Sequence, residues 1–260
     1  KELLDNDKLS SNALTVSGKT VKENLNSVIC KDRKVIYSYF EPLKENAGFL
    51  VLRSNFFDSA IMKMSVLSKE FNERYLSDEK KPMEFTVRAI VFDGPEHYHK
   101  EINNPNLNID ENCILIIRGC GPIGYPGAAE VVNMQPPDYL LKKGITSLPC
   151  LGDGRQSGTS ESPSILNVSP EAAVGGGLAI IKNNDSIRVD LNNKRVDLIL
   201  DNSEIKSRFK DLKFDYPNNQ TPWQELAREY TGQLGDGACL DLKEKYIDVA
   251  KSKGIPRDNH

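Results

Sequence analysis

The chain has 260 residues, with 34 basic and 37 acidic side chains and a net charge of −3. That length can bury one large core or two small ones. The charges of both signs are interspersed along the chain, with no basic block of the kind that binds nucleic acid and no basic amphipathic stretch for a membrane surface. The longest apolar runs, at 114–117 and 178–181, are far too short to span a bilayer. No charged-then-apolar leader opens the sequence, so the expectation is a soluble, cytoplasmic protein, with the mitochondrion as the alternative compartment. The first residue is Lys1, which predicts a fragment of a longer protein. The five cysteines (Cys30, Cys113, Cys120, Cys150, Cys239) are odd in number and lack any Cys-x-x-Cys spacing. They read as buried structural thiols rather than a disulfide framework or a local metal site. Cys150, beside a glycine-rich run, is the one thiol to watch.

Taken in chain order, Thr20-Val-Lys-Glu23 has the spacing of a capping box and predicts a short helix after Thr20. Gly18-Lys19-Thr20 imitates the end of a phosphate-binding loop, but Ala13 stands where that loop needs glycine, so an ordinary helix start is the better account. Strands are expected at 49–53, 87–92, 113–118 and 145–151, short runs rich in branched residues and bounded by Gly, Pro, Asn or Asp. Loops are expected at 76–83 and 103–112. His97 and His99, in a charged Pro-Glu-His-Tyr-His-Lys segment, would share a face on a strand, but no third ligand lies at metal-site spacing. A solvated loop is the reading preferred there.

A helix is expected at 136–143, stopped by Gly144. Gly175-Gly-Gly177 lacks a dinucleotide-binding pattern and predicts tight helix-to-strand packing. Residues 186–191 and 195–200 alternate strictly around Asn192-Asn193, which predicts a hairpin with one buried face. Ser203 is expected to cap a helix carrying Ile205, Phe209 and Leu212 on one side, and helices over 222–231 and 238–252 complete a helical C-terminal tail. Strands come first and helices last, without regular βαβ alternation. The predicted fold is therefore α+β, a barrel-like mixed sheet flanked by helices, with 1–260 as a single domain.

Two runs concentrate the chemistry. Gly119-Cys-Gly-Pro-Ile-Gly-Tyr-Pro-Gly-Ala-Ala-Glu130 and Gly152-Asp-Gly-Arg-Gln-Ser-Gly-Thr-Ser160 commit glycine and proline to the display of a few oxygens. Glu130, among small residues, has room to reach a hard cation such as magnesium, which takes oxygen ligands and only one or two protein carboxylates. A surface glutamate or a charge at a helix N-terminus is the plainer alternative. Ser157 and Thr159 suit either an ordinary polar turn or a site where a cation activates a hydroxyl.

The same runs resemble the C-terminal half of the dihydroxy-acid and sugar-acid dehydratases, a family of iron–sulfur hydro-lyases, and most closely the branch acting on aldonic acids. The resemblance extends through Ala13-Leu-Thr-Val-Ser-Gly-Lys-Thr, Leu52-Arg-Ser-Asn-Phe-Phe-Asp-Ser-Ala-Ile-Met-Lys, Ser169-Pro-Glu-Ala-Ala, Gln220-Thr-Pro-Trp-Gln-Glu and Gly254-Ile-Pro-Arg-Asp-Asn-His. It implies a β-barrel flanked by helices and the removal of water from a sugar acid to give a 2-keto-3-deoxy acid. It also implies Glu130 as a magnesium ligand and Ser157 as the base that takes the proton α to the carboxylate, with Thr159 beside it in the site. An iron–sulfur cluster would be held by cysteines of an N-terminal dehydratase domain that this chain lacks, so the isolated chain is expected to be inactive. A homodimer or homotetramer is implied as well. Two positions depart from the family pattern: Glu161 replaces glycine in the serine loop, and Ser54 replaces glycine in Leu-Arg-Gly-Asn. A carboxylate at 161 would raise the pKa of a nearby hydroxyl and weaken it as a base. The alternative is a non-catalytic, degenerate copy of the domain that serves as a binding or assembly module.

Overall fold

A computed structural model describes residues 1–45, 47–128, 134–155, 163–216, 218, 221–241 and 248. The chain forms two compact units, Lys1–Ala47 and Gly48–His260. The first is small and largely exposed. It holds helix α1 (Glu2–Asp5), an antiparallel bridge between Leu14 and Thr20, and helix α2 (Val21–Leu25). The capping box is complete, as its spacing predicts: Glu23 N donates to Thr20 Oγ1 at 3.2 Å and Thr20 N to Glu23 Oε2 at 2.7 Å.

The second unit is built on eight strands: β1 (Phe49–Leu52), β2 (Ser59–Lys63), β3 (Glu84–Asp93), β4 (Cys113–Arg118), β5 (Cys150–Gly152), β6 (Ser164–Ser169), β7 (Ser186–Asp190) and β8 (Arg195–Leu198). They form one mixed sheet in the order β1-β2-β6-β5-β4-β3-β7-β8. The central strands β6, β5, β4 and β3 run parallel, and an antiparallel hairpin flanks each side. The sheet curls until its two edges meet in a parallel bridge between Arg53 and Arg195. Arg53 N donates to Lys194 O and Val196 N to Arg53 O, both at 2.9 Å. Asn55 extends this seam with its side chain, which imitates a strand: Nδ2 donates to Leu198 O at 2.8 Å and Oδ1 accepts from Leu198 N at 2.9 Å. The barrel-like α+β fold expected from the sequence is the fold observed.

Burial follows the pleat. In β4, Ile114 and Ile116 point into the barrel, while Cys113, Leu115 and Ile117 point to an outer apolar layer. In β3, Ala89 and Val91 face inward and Ile90 and Phe92 outward. The outer layer contains Tyr98 of the helix Gly94–Glu101 and Leu140 of the helix Asp138–Leu141. Parallel strands covered on both faces read as unbroken apolar runs, and solvated antiparallel ones alternate. In the β7–β8 hairpin the apolar residues alternate, burying Ile187, Val189, Val196 and Leu198, although Asp190 and Asp197 are buried as well. Gly177 lets a 3-10 turn lie against the barrel wall, because a Cβ there would come within 1.6 Å of Phe56 O. The tight packing expected of the glycine triplet is thus between turns and backbone, not between helix and strand.

Several expectations are corrected. Residues 94–101 form a helix, not a loop: Gly94-Pro95 starts it, proline suiting the first turn of a helix. His97 Nδ1 accepts from Asp93 N at 3.0 Å, a local role at the helix start. Residues 69–76, Lys69–Phe71 in α-helical and Asn72–Leu76 in π-helical form, were not expected as helix, and Ser68 caps the segment by accepting from Phe71 N at 3.1 Å. The strand expected at 145–151 is only Cys150–Gly152, while β2 and β6 had no sequence forecast. The helix at Asn202–Lys210 begins after Asp201, which holds the N-cap position two residues before Ser203 without a side-chain cap hydrogen bond, and it buries Ile205. Helix Pro222–Tyr230 forms as expected, with Thr221 Oγ1 accepting from Gln224 N at 3.3 Å. Of the helix expected at 238–252, Ala238 to Asp241 are not helical, with Ala238 at a left-handed φ of 47° and Leu240 paired to Thr231, and nearly all the rest lies outside the described residues. Among the described residues no helix is long and apolar enough to cross a membrane.

Two mutational outcomes follow from this packing. Leu115→Ala and Ile116→Ala, neighbours on β4, are both expected to cost about 2–5 kcal/mol in urea unfolding, because each opens a cavity on a different face. Asn55→Ala is expected to cost about 1–3 kcal/mol, since it strips a buried N–H at the seam of its acceptor; thermal melts of the purified chain would show it.

Candidate functional site

The two glycine-rich runs emerge from adjacent parallel strands at the same edge of the sheet. Ile117 of β4 stands in register with Gly152 of β5, and Arg118 with Asp93 at the end of β3. The carboxyl ends of parallel strands are where such folds place their ligands, because the loops there are free to vary above a fixed frame. Glu130, Ser157 and Thr159 themselves lie outside the described residues, as does Glu161. What is described is the frame on either side of them.

The first loop is held from below by two fully buried carboxylates. Asp153, directly after β5, accepts from Cys120 N at 2.8 Å, Gly119 N at 2.9 Å and Ala172 N at 2.9 Å. Glu171, directly after Pro170 at the end of β6, accepts from Gly124 N at 2.9 Å, Ile123 N at 3.0 Å and Gln233 Nε2 at 2.9 Å. The fit at Gly121 demands glycine, since a Cβ would sit 2.3 Å from Glu171 Oε2. Neither acid has a cation among these partners; backbone N–H groups solvate both. On the far side of position 130, Gln135 N donates to the buried Tyr98 hydroxyl at 2.8 Å. The Glu130 segment is therefore bracketed by fixed backbone at both ends.

The second loop is bracketed too. Gly154 O accepts from Asn167 N at 2.8 Å, where Asn167 takes a left-handed φ of 58°. The two loops touch: Arg155 donates through Nη2 to the carbonyl of Ala128. Nearby, Arg118 pairs with Asp93 at 2.6 Å and donates to the carbonyls of Leu178, Ala179 and Ile181 at 3.0–3.1 Å, fixing the neighbouring turn. Helix Pro222–Tyr230 reaches the first loop through Arg228, whose Nε donates to Ile123 O at 2.9 Å.

Of the five thiols expected to be buried, Cys113, Cys120 and Cys150 are, whereas Cys30 is half-buried and Cys239 exposed. Cys113 donates to Asp110 Oδ1 at 3.1 Å, and burial pushes it up to about 11. Cys150 sits at the start of β5, at the strand end away from the glycine-rich loop, and donates to Leu148 O at 3.4 Å. Burial raises Cys120 further still. Among the described residues no group of three or more His, Cys, Asp or Glu is placed to hold a metal.

Sequence reasoning passed over Asp153, Glu171, Tyr98 and Gln233. The available signal was a carboxylate between two glycines in Gly152-Asp-Gly154 and another after proline in Pro170-Glu171.

Burial pushes the Asp153 carboxyl up to about 6, the nearby Glu171 charge acting in the same direction and the three N–H donors opposing it. A folded-state value above that of the unfolded chain means the native state keeps its proton to higher pH. The contribution of this group to stability is therefore full below about pH 4 and is lost as pH rises through 6. Asp153→Asn is expected to cost about 2 kcal/mol or more at pH 4 by leaving buried N–H groups unpaired. That cost should shrink toward pH 7, as urea titrations of both proteins at several pH values would reveal.

Comparison with known proteins gives a consistent outcome. Residues 34–238 match the sequence profile of the dihydroxy-acid/6-phosphogluconate dehydratase C-terminal domain. Over 259 residues the chain is 56% identical to the D-xylonate dehydratase of Caulobacter vibrioides, covering 100% of this chain and 43% of that protein. It is 36% identical to the L-arabinonate dehydratase of Rhizobium leguminosarum bv. trifolii, covering 97% of this chain and 41% of the relative. The dihydroxy-acid dehydratase of Acetivibrio thermocellus is 32% identical, with 94% and 42% covered. The chain thus spans about two fifths of the length of the curated relatives it matches. With a matching profile over most of its length, and a barrel whose carboxyl edge carries both glycine-rich loops, the chain belongs to the dihydroxy-acid/6-phosphogluconate dehydratase family and corresponds to its C-terminal domain.

Proposed function

We propose that this chain is the C-terminal part of a sugar-acid dehydratase, which removes water from a 2,3-dihydroxy acid to give a 2-keto-3-deoxy acid. In this reading Ser157 is the base, Thr159 is a neighbouring site hydroxyl and Glu130 is one ligand of a magnesium ion. The observation that carries it is the identity of 56% to a D-xylonate dehydratase sustained along the whole chain. The frame adds support, because the loops bearing Glu130 and Ser157 rise from adjacent parallel strands and meet at Arg155 and Ala128.

The donor set fits magnesium: a carboxylate and hydroxyls on neighbouring loops are hard oxygen ligands. When bound, the ion would polarise the substrate's oxygens and so acidify the proton on the carbon α to the carboxylate. Ser157 takes that proton at Oγ from C2. Ser157 acts in its ionised form, and the C2–H electron pair becomes the C2=C3 double bond as the C3–O bond breaks. The departing hydroxide takes up the proton that Ser157 releases and leaves as water, and the resulting enol tautomerises to the keto acid. Thr159 helps hold the substrate so that C2 faces Ser157. Among the described residues the cysteines form no group that could hold an iron–sulfur cluster, so no step is assigned to one here. A cluster and the remaining magnesium ligands would come from the part of the relatives that this chain does not span. The isolated chain would accordingly show no turnover, and the working protein would be cytoplasmic.

The test uses the full-length reading frame that encodes this chain, assayed for keto-acid formation with D-xylonate and L-arabinonate. Ser157→Ala is expected to lower kcat by about 100-fold or more, the usual contribution of a general base. Glu130→Gln is expected to lose magnesium binding in calorimetry. Unchanged kcat in Ser157→Ala would overturn the assignment of the base. A full-length protein that binds magnesium and aldonate without turnover would favour the binding-module reading, in which Glu161 has weakened the base.

A further inference from the structure

We propose that Asp153 and Glu171 are positioning residues for the site: together they set the height and orientation of the loop that leads to Glu130. This inference rests on the reading of Glu130 given above and deepens it.

The geometry shows how two acids can do this. Five backbone N–H groups of two different segments converge on them. Gly119, Cys120 and Ala172 donate to Asp153, and Ile123 and Gly124 to Glu171. Asp153 is itself the first residue after β5, so it ties the start of the serine loop to the start of the glutamate loop. Its two oxygens divide the work: Oδ1 takes Cys120 while Oδ2 takes Gly119 and Ala172. Glu171 then fixes the loop four residues further on, with no room between them, as the contact at Gly121 shows. A third element reinforces the second acid. Gln233 donates to Glu171 Oε1 and accepts from Glu171 N at 2.8 Å, so the carboxylate and its own backbone are gripped by one amide.

A loop rich in glycine has many backbone conformations to lose. Acids accepting N–H bonds from Gly119, Cys120, Ile123 and Gly124 narrow that choice to one. Neutral amides could not do the same. An Asn or Gln presents a single acceptor oxygen and turns an NH2 group toward the donors on the other side. Supporting groups of this kind commonly change metal affinity by 10–100-fold when altered.

The experiment measures magnesium binding by calorimetry on metal-stripped full-length protein, beside kcat, KM and the melting temperature. Glu171→Gln is expected to weaken magnesium binding by about 10-fold or more and to lower kcat more than it raises KM. Gln233→Ala, at a half-buried position and less disruptive, is expected to shift both in the same direction by a smaller factor. It keeps the test decisive should Glu171→Gln fail to fold. A lowered melting temperature with magnesium affinity and kcat intact in the folded variants would mean a purely structural role and overturn the inference. Glu130→Gln run in parallel separates the two readings. If it leaves magnesium binding intact, the assignment of Glu130 fails, and this inference falls with it. If it abolishes binding while Glu171→Gln and Gln233→Ala do not alter it, only the positioning role fails.

Discussion

Four parallel strands buried on both faces constrain everything else in the larger unit. Because β4 and β3 send alternate side chains into the barrel and into the outer layer, neither face is open to solvent or ligand. Chemistry can then occur only at the strand ends, and parallel strands present like ends together. The glycine runs after β4 and β5 are neighbours for that reason, not because they are close in sequence. Their separation of more than thirty residues is bridged by a register in which Ile117 lies beside Gly152.

The second constraint is electrostatic. Two carboxylates at zero exposure would be costly unless compensated. Here compensation comes from N–H groups that turning chain segments would otherwise leave unpaired. The acids need the loop and the loop needs the acids, so loss of either partner leaves the other stranded. Such reciprocity makes the edge of the barrel stiffer than its glycine content suggests.

What could be read in advance follows a physical divide. β4 was legible to the residue, because five consecutive buried side chains leave no other period. The β7–β8 hairpin was legible for the opposite reason, the strict alternation of its apolar residues in sequence. β2 and β6 escaped because each is interrupted: a register shift lies between Ser59 and Ile61, and Asn167 adopts a left-handed backbone within β6. The helix Gly94–Glu101 escaped because Gly94-Pro95 reads as a turn until tertiary packing buries Tyr98. The site loops were visible as glycine runs, and the family resemblance was visible in several motifs at once. Asp153 and Glu171 were not, since their partners are backbone N–H groups, which have no signature in a sequence. The motif Leu52-Arg-Ser-Asn55 had a resemblance but no physical role until Asn55 was found against Leu198.

That seam has a bearing on how the barrel is assembled. Arg53 and Arg195 are separated by most of the unit's length, and among the described residues a short bridge joins them, helped by the Asn55 amide and by the Asp197 carboxylate, which accepts from Asn55 N at 3.1 Å. Contacts so distant along the chain are paid for in loop entropy before they return anything, which orders them late. The barrel is therefore a rolled ribbon fastened by a clasp. The clasp, rather than the parallel centre, is where transient opening and strand exchange between neighbouring molecules would begin.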